Sequence, residues 1–137
     1  MKQTETFPGR YASLESISDF VSKAASDAGL DHKSIYAVQL AVDEACCNII
    51  DHAYGGENIG DLQCTVNVGT GELTVILRDQ GRPFNPEKIS TPKLGAPLEK
   101  VKPRGVGLYL IRNIMDKVQY ESVPGSGNTL TMLKRRA

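Results

Sequence analysis

Glu44, Asn48 and His52 stand at positions i, i+4 and i+8, and on an α-helix that spacing puts all three side chains on one face. Small and apolar neighbours, Ala41, Ala45 and Cys47, place this polar stripe at the edge of a core rather than out in water. A carboxylate there can act as a general base, and an amide oxygen can complete the shell of a hard cation. A boundary face of ordinary polar residues would carry the same spacing. A second constellation is Arg78-Asp79-Gln80-Gly81-Arg82-Pro83-Phe84, in which Asp79 directly follows an apolar, β-branched segment. A buried carboxylate at that point can accept hydrogen bonds from an exocyclic amine such as that of adenine, and Gly81 leaves room for a flat ring. Asp-x-Gly is also common in plain turns. The third is Arg104-Gly105-Val106-Gly107-Leu108, where glycines let backbone N–H groups approach a ligand and a helix N-terminus favours anions such as phosphate. Position 110 is Leu, so the full G-x-G-x-x-G dinucleotide pattern is absent.

These groups need elements to hold them. Thr4 to Tyr11 reads as an opening strand that Pro8 and Gly9 confine to a sheet edge or break. From Ser13, the residues Leu14, Ile17, Phe20, Val21, Ala24, Ala25 and Ala28 recur at helical spacing, and Gly29 supplies a C-cap. A second helix begins at Asp31 or His32, with an apolar stripe through Ile35, Val38, Val42, Ala45, Ile49 and Ala53, and stops at Gly55-Gly56. Leu62 to Val68 and Leu73 to Leu77 alternate as strands and read as a hairpin around Gly69-Thr70-Gly71-Glu72. Five of the seven prolines then fall between Arg78 and Arg104, and a patternless stretch of that length in a small domain is functional or disordered. Val106 to Met115 returns to helical spacing, and Val118 to Val123 with Thr129 to Leu133 reads as a closing hairpin.

With 137 residues, 40% of them hydrophobic, the chain is long enough for one domain with its own core. Sixteen basic and sixteen acidic residues leave no net field to draw it to nucleic acid or an anionic membrane. The late cluster Lys134-Arg135-Arg136 reads as a solvated chain end. No apolar run approaches a membrane span, and the first residues lack the apolar core of a signal peptide, so the expected location is cytoplasmic. Cys46, Cys47 and Cys64 are odd in number and have no C-x-x-C spacing, which points to buried free thiols.

In order along the chain, these motifs resemble the GHKL (Bergerat-fold) ATPase superfamily of histidine kinases, gyrase and MutL-type ATPases, and most closely its anti-sigma-factor serine-protein kinases. Asp43 to Tyr54 (DEACCNIIDHAY) is similar to the N box, Asp79 to Phe84 (DQGRPF) to the first glycine box, and Arg104 to Ile111 (RGVGLYLI) to the second. The Met115-Asp116 pair before a strand is typical of the same group, and the resemblance runs from about Pro8 to Arg135. It implies one ATP-binding domain over residues 1–137, an α/β two-layer sandwich with a mixed, mostly antiparallel sheet and helices on one face. It also implies ATP and Mg²⁺ as cofactors. By resemblance Glu44 is the general base, Asn48 the Mg²⁺ ligand, and Asp79 with Gly81 the adenine contacts. Gly105 and Gly107 hold the phosphates, with Arg104, Val106, Leu108 and His52 in the same cofactor site, and Thr129 stands in a phosphate-side element. The stretch from Pro86 to Pro103 is the ATP lid, with Lys93, Lys100, Lys102 and Arg104 as alternatives for a contact to the γ-phosphate. The implied activity is a serine/threonine kinase acting on a STAS-domain anti-anti-sigma partner, with a sigma factor as a further partner and the first helix as a dimer contact. The competing reading is a module that binds ATP and sequesters a partner without transferring phosphate.

Overall fold

Ile17, Val21, Ala24 and Ala25 form the buried stripe of helix α1 (Leu14–Asp27) in the computed structural model, which describes residues 1–84 and 107–137, with side chains from 111 in the second stretch. The helix ends where Gly29 turns left-handed at φ +82°. The Leu30 N–H then returns to the Ala25 carbonyl at 3.1 Å and that of Gly29 to Ser26 at 3.0 Å, the paired bonds of a Schellman close. Helix α2 (His32–Asn48) starts on Asp31, whose carboxylate accepts the Ser34 N–H at 3.2 Å. Val38, Ala41, Val42 and Ala45 bury one side of it, and the whole apolar stripe of α1 goes into the same core.

The expected run of α2 to Gly55 is interrupted. After Asn48 the chain passes into a π-helical turn, Ile49–Ala53, in which the Tyr54 N–H reaches back to the Ile49 carbonyl at 3.0 Å. Such wide turns inside helices are frequent at functional sites.

The sheet has five strands in the order β1 (Lys2–Pro8), β2 (Asp61–Gly69), β3 (Glu72–Asp79), β5 (Gly127–Arg135), β4 (Lys117–Val123), each neighbouring pair antiparallel. Strand β1 lies at an edge and ends at Pro8, and among the described strands no parallel pairing occurs. Because side chains alternate along a strand, the register defines the core face. Phe7, Leu62, Cys64, Val66, Leu73, Val75, Leu77, Leu130 and Met132 all point to the helices. Helix α3 (Gly107–Ile114) packs on α2 and adds buried Ile111. Lys134 closes its C-terminal end by donating from Nζ to the Ile114 carbonyl at 2.7 Å, where a cation is favoured. Lys134 and Arg135 belong to β5, Lys134 tied to α3 and Arg135 keeping an exposed side chain. The three cysteines are buried, and none is joined in a disulfide; burial raises the Cys64 thiol pKa to about 12 and holds that of Cys46 well above the ordinary thiol range.

Candidate functional site

One row of the register ends the core and begins the site. Across the sheet Leu62 stands opposite Asp79, Asp79 opposite Asn128, and Asn128 opposite Ser122. The apolar core face thus turns polar at its last rung, beside the C-terminal end of α2. Asn128 is buried and uses all its hydrogen-bonding capacity there. Its Nδ2 donates to Asp79 Oδ1 at 2.8 Å and to the Arg82 carbonyl at 3.0 Å, while its Oδ1 accepts from Tyr120 Oη at 3.0 Å and Ser122 Oγ at 2.8 Å. The Gly81 N–H adds a second bond to Asp79 Oδ1 at 2.9 Å. Both of these bonds fall on Oδ1, so Oδ2 is the oxygen left to accept from a ligand. Burial raises the Asp79 pKa above the ordinary carboxylate value, and the bonds from Asn128 and Gly81 oppose that rise.

Above this row lies a small cleft, with a cavity volume of about 20 Å³, lined among the described residues by Ala45, Asn48, Ile49, Asp79, Phe84, Ile111, Tyr120, Asn128 and Leu130. Its lining is mostly apolar, with Asn48, Asp79 and Asn128 as the polar groups, the usual make-up of a small-molecule pocket. Phe84 stands over Tyr120, ring centres 5.5 Å apart. Asn48 is buried at the cleft wall, and Glu44, also buried, lies one helical turn earlier on the same face. Asn48 thus offers an amide oxygen at the cleft lining. Among the described residues there is no cluster of three or more His, Cys, Asp or Glu that could hold an ion alone.

The structure brings Asn48 and Asp79 to one cleft, places Thr129 elsewhere, and gives His52 and Gly81 neighbours of their own. His52 falls within the π turn, where bonds run from i to i+5, and its ring lies against the cleft-lining Phe84, ring centres 6.1 Å apart. Its carbonyl accepts the Arg82 Nε–H at 3.0 Å. Gly81 is required by protein packing, because a Cβ there would fall 2.6 Å from the Ala53 carbonyl carbon and oxygen. Thr129 is not brought to the site: it pairs with Arg78 and Glu121 on the sheet face away from the helices, and the residue of that segment that enters the cleft is Asn128. Gly107 opens α3 and Leu108 follows in it, whereas Arg104, Gly105, Val106 and the lid residues from Pro86 to Pro103 lie outside the described residues.

Asn128 and Tyr120 line the cleft although motif reading did not single them out, yet a signal existed. Asn128 shares strand parity with Leu130 and Met132, so the alternation that buries those two also points Asn128 inward. No helix among the described residues is long and apolar enough to cross a membrane.

Comparison with known proteins agrees with this geometry. Residues 7–134 match the family described as the histidine kinase-like ATPase domain. The serine-protein kinase RsbW of Bacillus velezensis is 34% identical over 118 residues, covering 83% of this chain and 72% of the relative. That of Halalkalibacterium halodurans is 32% identical, covering 83% and 70%. Among solved structures, the RsbU and RsbW domains of a Mycobacterium tuberculosis protein superpose with a TM-score of 0.69 at 14% identity, over 98% of this chain and 32% of that one. This last likeness concerns the fold, and the chain spans about a third of that longer protein. The chain belongs to the histidine kinase-like ATPase family and, within it, to the serine-protein kinases related to RsbW.

Proposed function

We propose that this kinase binds Mg²⁺-ATP with its adenine in the cleft over Asp79 and transfers the γ-phosphoryl group to a Ser or Thr of a STAS-domain anti-anti-sigma protein. A sigma factor is the further partner whose release the transfer controls. The observation that carries the base site is the Asp79–Asn128 pair: a buried carboxylate held through Oδ1, with Oδ2 available to accept an exocyclic N–H. A carboxylate so fixed favours a base bearing an amine over one bearing a carbonyl at that position, since the latter would set oxygen against oxygen.

For the transfer, the partner hydroxyl oxygen attacks the γ-phosphorus in line. The bond from that phosphorus to the β–γ bridging oxygen breaks, ADP departs, and the hydroxyl proton passes to Glu44. Bound Mg²⁺ supplies charge neutralisation on the phosphates, and Asn48 is the residue that would hold it. Asn48 and Glu44, one turn apart on a helix packed into the core, are fixed relative to each other before any ligand arrives. Gly105 and Gly107 would present backbone N–H groups to the phosphates.

The test is incubation with Mg²⁺, γ-labelled ATP and a candidate STAS-domain protein. Label on a Ser or Thr of that protein is expected. Glu44→Ala should lower the transfer rate by about 10²-fold or more while nucleotide affinity stays near wild type. Partner binding without label would make the chain a sequestering module, and unchanged turnover in Glu44→Ala would remove Glu44 from the mechanism.

A further inference from the structure

Tyr54 closes the π-helical turn, away from the cleft lining, and three distant segments meet on its side chain. Its hydroxyl accepts the Gln80 N–H at 3.0 Å and donates to the Asp61 carbonyl at 2.5 Å. It therefore ties the end of the α2 segment to the residue after Asp79 and to the first residue of β2. Two glycines make room for it. A Cβ on Gly60 would fall 2.4–2.8 Å from the Tyr54 ring and its hydroxyl oxygen, and a Cβ on Gly9 would fall 2.2 Å from the Gly60 carbonyl oxygen. Gly9 and Gly60 are themselves joined by an N–H to carbonyl bond of 2.9 Å. Neither glycine has a left-handed φ, so space rather than backbone freedom is what each provides. Next to this clasp the Arg82 N–H bonds to the Ala53 carbonyl at 2.9 Å, so the loop from Asp79 to Arg82 is pinned from both sides.

We infer that Tyr54 is a positioning residue for the base-binding end of the site: its hydroxyl holds the backbone at Gln80, and with it Asp79, at a fixed distance from Asn48 on α2. It rests on the reading of Asp79 as the base contact. Tyr54 touches no substrate in this account. It acts by keeping the base-recognising strand end and the phosphate-side helix in one frame, because displacements well under an ångström lengthen a directional hydrogen bond enough to weaken it.

The experiment compares Mg²⁺-ATP with Mg²⁺-tripolyphosphate, which lacks the base, as titrants of the full chain. Tyr54→Phe keeps the ring and removes the pin. It is expected to weaken ATP binding about tenfold, as loss of one positioning hydrogen bond would, and to leave tripolyphosphate affinity unchanged. Gly60→Ala, which displaces the ring, should reproduce the selective loss in the wild-type background and add nothing in the Tyr54→Phe background. Equal weakening of both titrants, or no weakening of either, would overturn the inference, the first by reducing Tyr54 to a general stabiliser. If the wild-type chain itself failed to bind ATP, the nucleotide reading would fall instead; if it bound ATP and Tyr54→Phe matched it, only the role of Tyr54 would.

Discussion

In the proposed reading, Asp79 serves recognition at a cost to the fold. Its carboxylate must be ionised to accept from an amine, yet burial favours the neutral form and raises its pKa above the ordinary 3.8. When the folded-state pKa of an acid is raised, the folded state binds the proton more tightly. The associated stability is then fully present below the unfolded pKa and is lost as pH rises through the raised value. Asp79→Asn keeps an oxygen for the Asn128 and Gly81 donors and removes the charge. Denaturant unfolding of the ligand-free protein should show this variant gaining on wild type as pH climbs from about 4 towards neutrality; a constant difference across that range would mean that Asp79 titrates normally. ATP affinity of the wild type should fall over the same window as pH is lowered, because a protonated Oδ2 donates where it must accept. Asn128 poses the complementary case. Asn128→Ala strips one bond from Asp79 Oδ1 and leaves Tyr120 Oη and Ser122 Oγ without their acceptor. A loss of about 1–3 kcal/mol in unfolding free energy is expected, together with weaker ATP binding. Full stability in that variant would show that water replaces the amide at no cost.

At the scale of elements, the site depends on close approaches between chain segments. Gly127 sits at φ +85°, and a Cβ there would fall 2.1 Å from the Asp79 carbonyl oxygen. Gly127→Ala must therefore part β5 from the end of β3, with an expected cost of about 3 kcal/mol or more and loss of nucleotide binding. A folded variant with wild-type stability and affinity would contradict the close register of these strands. Much of this layer was legible in the sequence. Asp31, Gly29 and the apolar spacing marked both long helices, and alternation marked β2 and β3 together with the position of Asp79 at a strand end. What was not legible is tertiary. The π turn has no composition of its own, since Ile49 to Ala53 continues the helical pattern that Asn48 leaves. The reason for Gly81 is Ala53, and the reason for Gly60 is Tyr54; each is a contact between segments whose approach only the fold decides. Motif likeness points to Thr129, whereas strand parity with Leu130 and Met132 puts Asn128 on the core face.

Over the whole molecule, one antiparallel sheet with helices on a single face gathers Asn48 and Asp79 at one end, where the core row of β3, β5 and β4 changes from apolar to polar. The outward surface between α1 and α2 carries Glu15, Asp19 and Asp43 around exposed Tyr36 and Leu40, so the apolar stripe of α1 serves the core. Equal numbers of acidic and basic residues suit recognition of proteins and nucleotides better than a general affinity for polyanions. The site lies between α2 and the sheet, so a ligand seated there joins two layers that meet only through their packed faces. Calorimetric titration of the wild-type chain and Asp79→Asn with Mg²⁺-ATP tests this account most directly. It predicts one saturable site per chain in the wild type and a loss of about 10²-fold or more in the variant, as expected when a base amine faces a donor instead of an acceptor. Equal affinity in the two proteins would contradict it.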